Sequence, residues 1–129
     1  MILLALLLAQ PKPAEDWICI YPSYTTGKPI SVNFRLEAGL LKQRIFDDAP
    51  FEAWGSQYVV VHDADDAIIA TYPSVGMAGD KRIVTGRTIT IDRLSGDMVV
   101  ANISLWAPIS ETRLVSGTCA PKKITPTPD

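Results

Sequence analysis

His62-Asp63-Ala64-Asp65-Asp66 is the densest cluster of ionisable side chains in this sequence and contains its single histidine. Carboxylates this close repel one another, and a divalent cation would relieve the repulsion, so the stretch is the first place to look for a metal. Its spacing does not follow a calcium loop, and no glutamate stands where a bidentate ligand would be needed. Aspartate also accepts backbone hydrogen bonds in turns, which accounts for the cluster without an ion. No metal is expected. Nucleophilic catalysis would need a base beside the attacking serine or cysteine, and His62 is the only imidazole on offer. No Gly-Xaa-Ser-Xaa-Gly elbow is present. The paired acids Asp47 and Asp48, and Asp92 and Asp97, stand where turns place acids anyway. The expectation is a protein that is not an enzyme and carries no cofactor.

Binding is the better-supported chemistry. Gly76-Met77-Ala78-Gly79-Asp80-Lys81-Arg82 has glycines followed by bases but lacks the Walker spacing, so it is no phosphate loop. With the long Pro73–Lys81 stretch read as a loop, it sets Met77, Lys81 and the adjoining Arg82 on a contact surface of the kind that loops on a rigid sheet supply. Trp54, with Phe51, adds aromatic contact area from a connection spanning Asp47 to Ser56. The candidate binding residues are therefore Trp54, Met77, Lys81 and Arg82.

The elements that must position these residues read as strands. Trp17–Tyr21 is the first, and Ile30–Leu36 alternates strictly, with Ile30, Val32, Phe34 and Leu36 on one face. Leu40–Phe46 follows. Gln57–His62 and Ala67–Tyr72 bracket the acidic turn as a hairpin, and Arg82–Thr85 resumes extended structure before Gly86. Thr88–Asp92 and Asp97–Trp106 form the best-specified hairpin, with Gly96 in the left-handed region. A three-residue loop Leu94-Ser95-Gly96 would set Ile91 opposite Val99 and Ile89 opposite Ala101, apolar on apolar. That register places Arg87 opposite Ile103, and a bulge at Gly86 is expected to restore the alternation. Ala107–Arg113 reads as a connection and Leu114–Cys119 as the last strand. About eight short strands in one small domain imply an all-β fold, an antiparallel barrel or sandwich. A small-ligand barrel, with Phe34 and Trp106 lining a cavity, is the alternative use of such a fold.

With 129 residues, the chain is long enough for one core and has no internal linker. Its 12 basic and 14 acidic residues leave a net charge of -2, so no long-range attraction to nucleic acid or anionic lipid is implied. Residues 2–9 are an apolar run too short to span a bilayer and suited to the h-region of a secretory signal. No base precedes the run, and the small-residue pattern is incomplete at both Ala9 and Ala14. The divisions expected are a signal peptide over 1–14, one β domain over 15–120 and a disordered, proline-rich tail over 121–129. The residues before Cys19 do not suit a lipid anchor, so no stable membrane insertion is expected after cleavage. Two cysteines, Cys19 and Cys119, in an exported small domain favour one disulfide tying the ends together.

Trp17-Ile18-Cys19 after an export signal, Tyr58–Val61 with Ala67–Ala70 after an acidic turn, Ile91–Gly96, and Gly117-Thr118-Cys119 together resemble small exported bacterial proteins of uncharacterised function. That resemblance implies a periplasmic or secreted location and a β fold. A weaker similarity, through Gly55-Ser56-Gln57-Tyr58, is to the C-type lysozyme inhibitors of bacterial envelopes, which are eight-stranded barrels with a disulfide. The Ser-Gly order of that family is reversed here and its Trp-Xaa-Lys-Gly stretch is missing, so no inhibitory residue carries over. The functional expectation is a protein-interaction or inhibitor module with an envelope or host protein as partner.

Overall fold

A computed structural model of the chain describes residues 12–23, 26–44, 54–106 and 108–122. Alternating β-branched and polar residues extend into eight strands: β1 (Glu15–Pro22), β2 (Pro29–Glu37), β3 (Leu40–Arg44), β4 (Trp54–Asp63), β5 (Ala67–Ala78), β6 (Lys81–Asp92), β7 (Asp97–Trp106) and β8 (Ile109–Pro121). Each pairs antiparallel with the next, and β8 returns to β1, so the sheet closes as a barrel and not as a sandwich. Residues 1–11 and 123–129, which hold most of the expected signal and most of the expected tail, lie outside the described residues, as do Phe51, Asp47 and Asp48. Pro121 is still on the ladder, opposite Trp17.

The core fills the end of the barrel that carries the β2–β3, β4–β5 and β6–β7 turns. Two ladder rows show why. Ile68, Ile91, Met98 and Gly117 lie side by side, and Ala70, Ile89, Val100 and Val115 form the row above. Trp17, Phe34, Leu41 and Tyr58 complete the packing from the other strands, all nearly or wholly buried. At about 25 cal/mol per Å² of apolar surface removed from water, burying each of these side chains stabilises the fold by roughly 1.5–3 kcal/mol. Beneath the core, Arg93 closes the barrel. Its guanidinium meets Glu15 at 2.7 and 3.3 Å and Asp63 at 2.7 Å, and lies 5.7 Å from the centre of the Trp17 ring.

The seam between β1 and β8 is short, running from Trp17–Ile20 against Thr118–Pro121. Cys19 stands directly opposite Cys119 there and is bonded to it, as the cysteine count implied. Gly117 makes the crossing possible. A Cβ on it would run into the Ile20 carbonyl oxygen and come within 2.7 Å of the Tyr21 Cβ. No side chain fits between the two backbones at that point.

Four expectations are corrected. The β6–β7 connection is a four-residue turn, pairing Ile91 with Met98 and Ile89 with Val100, in place of the three-residue loop. Both pairs are apolar and buried, while the mixed pair Thr90–Val99 faces out, where mixing costs nothing. Asp92 specifies the turn: its Oδ1 accepts the N–H groups of Leu94 at 2.8 Å and Ser95 at 3.1 Å, and its carbonyl accepts Gly96 N–H. Gly96 does sit at positive φ, 81°, as expected. No bulge occurs at Gly86, which pairs regularly with Pro73 and Ile103. Pro73–Lys81 is not a loop: β5 and β6 run through it in unbroken register to a two-residue Gly79-Asp80 turn. Nor is Ala107–Arg113 wholly a connection, because β8 begins at Ile109, opposite Trp106.

Candidate functional site

β5 to β8 are longer than β1 to β3, and their surplus rises above the core as a four-stranded sheet. Its side-chain pattern is reversed relative to the barrel below. Directly above the Ala70–Val115 row, the same inner face carries Tyr72, Arg87, Asn102 and Arg113. The next inner row carries Thr85, Ser104 and Glu111. The outer face changes at the same height. Below, it is rich in threonine, with Thr71, Thr88 and Thr90. Above, Val75, Val84 and Leu105 lie side by side, with Ile103 in the row beneath and Met77 at the tip. Met77 is 66% exposed, Leu105 51% and Ile103 54%, so this is an apolar surface in contact with solvent.

On the inner face, Arg87, Asn102, Ser104, Glu111 and Arg113 line a cleft of about 240 Å³. Arg87 donates to the Tyr58 hydroxyl at 3.3 Å, and that ring packs 5.6 Å from Tyr72. Arg113 Nε donates to Glu111 Oε1 at 2.8 Å along the same strand. Asn102 Oδ1 and Trp106 Nε1 are shielded from solvent with no hydrogen-bond partner among the described residues. A buried polar atom without a partner costs free energy, and both atoms sit on the inner face of the extension.

Met77 and Arg82, expected to share a contact surface, do face each other across the β5–β6 ladder at its tip, and Lys81 pairs with Ala78 one position nearer the turn. Trp54 is not brought to them by any ladder: it opens β4 opposite Arg44, and its side chain lies outside the described part of the structure. Phe34 is fully buried in the core. Trp106 lies at the top of the inner face, opposite Ile109. Tyr58, the residue behind the similarity to lysozyme inhibitors, is buried.

His62 lies at the opposite end of the barrel, where Nε2 is 3.2 Å from Asp66 Oδ1 in an exposed pair. That contact is the main cause holding the Asp66 carboxyl below the ordinary aspartate range. Asp63 belongs to the Arg93 closure, whose guanidinium is kept more firmly protonated than usual, first by Glu15 and then by Asp63. The acidic cluster is thus divided between a surface pair and a structural ion pair. Among the described residues, no group of three or more His, Cys, Asp or Glu side chains is placed to hold a metal ion. The exposed apolar face and the cleft behind it were missed by the sequence reading. The usable signal was Arg87 and Asn102, polar residues continuing the inward phase of Ile89 and Val100.

No family model, curated protein or solved structure matches this chain.

Proposed function

We propose that this protein is an exported binding module that works without catalysis and engages an envelope or host protein through the outer face of the β5–β8 extension. One observation carries the reading. Above the core, the outer face of the sheet carries Val75, Met77, Val84, Ile103 and Leu105 as a contiguous exposed patch. A patch of this kind on a small domain is costly in water and favours burial against a partner. The paired Met77 and Arg82 at the tip add a flexible apolar side chain and a charge at the rim, the composition that protein interfaces favour. The Cys19–Cys119 disulfide fits an oxidising compartment and so supports export.

The test compares affinity capture from envelope fractions by the native chain, by the Ile103→Glu/Leu105→Glu variant and by Val61→Glu, which alters an exposed valine on β4. A partner retained by the native chain and by Val61→Glu, and lost from the double variant, is the expected result. A retained set that is the same for all three would remove this face as the binding surface. C-type lysozyme is the first defined partner to try, because the similarity stated above points to it.

A second reading rests on the cleft. Its orphaned Asn102 Oδ1 would be satisfied by a small polar ligand that donates a hydrogen bond, as barrel mouths often accommodate. Thermal-shift screening of small carboxylates and polyols tests this: a rise in Tm with the native chain, absent in Asn102→Ala, supports it, and no rise with any compound removes it.

A further inference from the structure

The extension has an edge that the barrel below does not. β1 pairs with β8 only as far as Thr118, so above that point β8 has no ladder partner on its outer side among the described residues. The direction of its backbone groups follows from two hydrogen bonds. Cys119 N–H donates to Gly96 on the β7 side, and Lys122 N–H donates to Asp16 on the β1 side. Both ladders run through β8 without a register shift. Backbone groups alternate sides along an antiparallel strand, so the odd-numbered residues address β7 and the even-numbered ones the other side. Ser110, Thr112 and Leu114 therefore direct their N–H and C=O groups out of the open edge. An unpaired edge of this kind is a template for another strand.

We propose that the occupant is a second copy of the chain, paired antiparallel through β8 about a two-fold axis at Thr112. The side chains are self-complementary in that register. Thr112 faces its own counterpart in a hydrogen-bonded pair, Glu111 faces the partner subunit's Arg113, and Arg113 faces the partner subunit's Glu111. Ile109 faces the partner subunit's Val115. The nearest competing registers are excluded by charge and phase. A two-fold at residue 111 sets Glu111 against itself, one at 113 sets Arg113 against itself, and a slip of one residue turns the faces over. A closed two-fold pairing also consumes both edges, which an open-ended strand addition would not. The other edge of the extension is protected, since Pro73 on β5 has no N–H to offer. The pairing leaves the outer apolar face uncovered and joins two copies of it into one wider surface, so it does not depend on the function proposed above.

Sedimentation equilibrium of the oxidised full-length chain tests this. A concentration-dependent monomer–dimer equilibrium is expected. Arg113→Glu, which lines up like charges across the axis, is expected to weaken it by at least about tenfold. The exchange Glu111→Arg/Arg113→Glu restores complementarity and is expected to restore association. Thr112→Pro removes an edge-facing N–H without touching the β7 ladder and should also abolish the dimer, keeping the test open if Arg113→Glu fails to fold. A native chain that stays monomeric would overturn the proposal. So would a dimer that Arg113→Glu and Thr112→Pro leave intact, or a folded exchange variant that remains monomeric.

Discussion

At the scale of single residues, Asp92 and Gly117 do the most with the least surface. Asp92 is exposed, yet its carboxylate holds the β6–β7 turn by accepting the Ser95 and Leu94 N–H groups, and these bonds are what place its pKa below the ordinary aspartate range. A depressed folded-state pKa means that the contribution is present above the unfolded aspartate value and is lost as pH falls through the folded one. Asp92→Asn keeps an acceptor oxygen but not the charge. The native chain is therefore expected to be more stable than this variant at neutral pH, with the gap closing below the ordinary aspartate range. Denaturant titrations of both proteins across that window measure it, and a pH-independent gap would deny Asp92 this role. Gly117 acts by having no side chain where β1 crosses β8. Gly117→Ala is expected to cost about 2–4 kcal/mol, at the upper end of single substitutions, because backbone atoms on both sides must move. A change within about 0.5 kcal/mol in equilibrium denaturation would contradict the close approach.

At the scale of elements, the lower half of the barrel was legible and the upper half was not, for one physical reason. Alternation reveals which residues share a face, but the inference that the apolar face points inward holds only where a core exists to receive it. Val32, Phe34 and Leu36, and Ile89 with Ile91, meet that condition and were read correctly as faces turned to the core, while Ile30, read with them, is 38% exposed. From Arg87 upward on β6 and from Asn102 upward on β7, the phase is unchanged while the polarity reverses. Read as a continuing core pattern, that reversal looks like a bulge at Gly86 and a loop at Pro73–Lys81. The turn residues compounded the difficulty. Either loop length gave apolar pairs for Ile89 and Ile91, and what decided between them was the Asp92 carboxylate, a local bond that pairing arguments do not weigh. The disulfide, by contrast, was legible from two cysteines, which do not depend on strand phase.

At the scale of the whole molecule, one end is tied shut and the other is open. Arg93 with Glu15 and Asp63 seals the base, and Cys19–Cys119 pins the short β1–β8 seam. The bridge spans a sequence separation of 100, so in the chain-entropy view it stabilises by about 4–5 kcal/mol. Reduction is expected to lower the denaturation midpoint accordingly, and an unchanged midpoint would show that the ladder alone holds the seam. Above the seam, β8 parts from β1, and the β5–β8 extension offers a polar cleft, an open edge and an apolar outer face. The central claim is that the apolar face is where a partner binds. It is tested most directly by site-specific photocrosslinking in cells producing the protein, with a benzophenone side chain placed at Leu105 or at Val61. A discrete, light-dependent adduct from Leu105 to a protein other than a second copy, with none from Val61, is the result expected. No adduct from Leu105, or the same adducts from both positions, would contradict it.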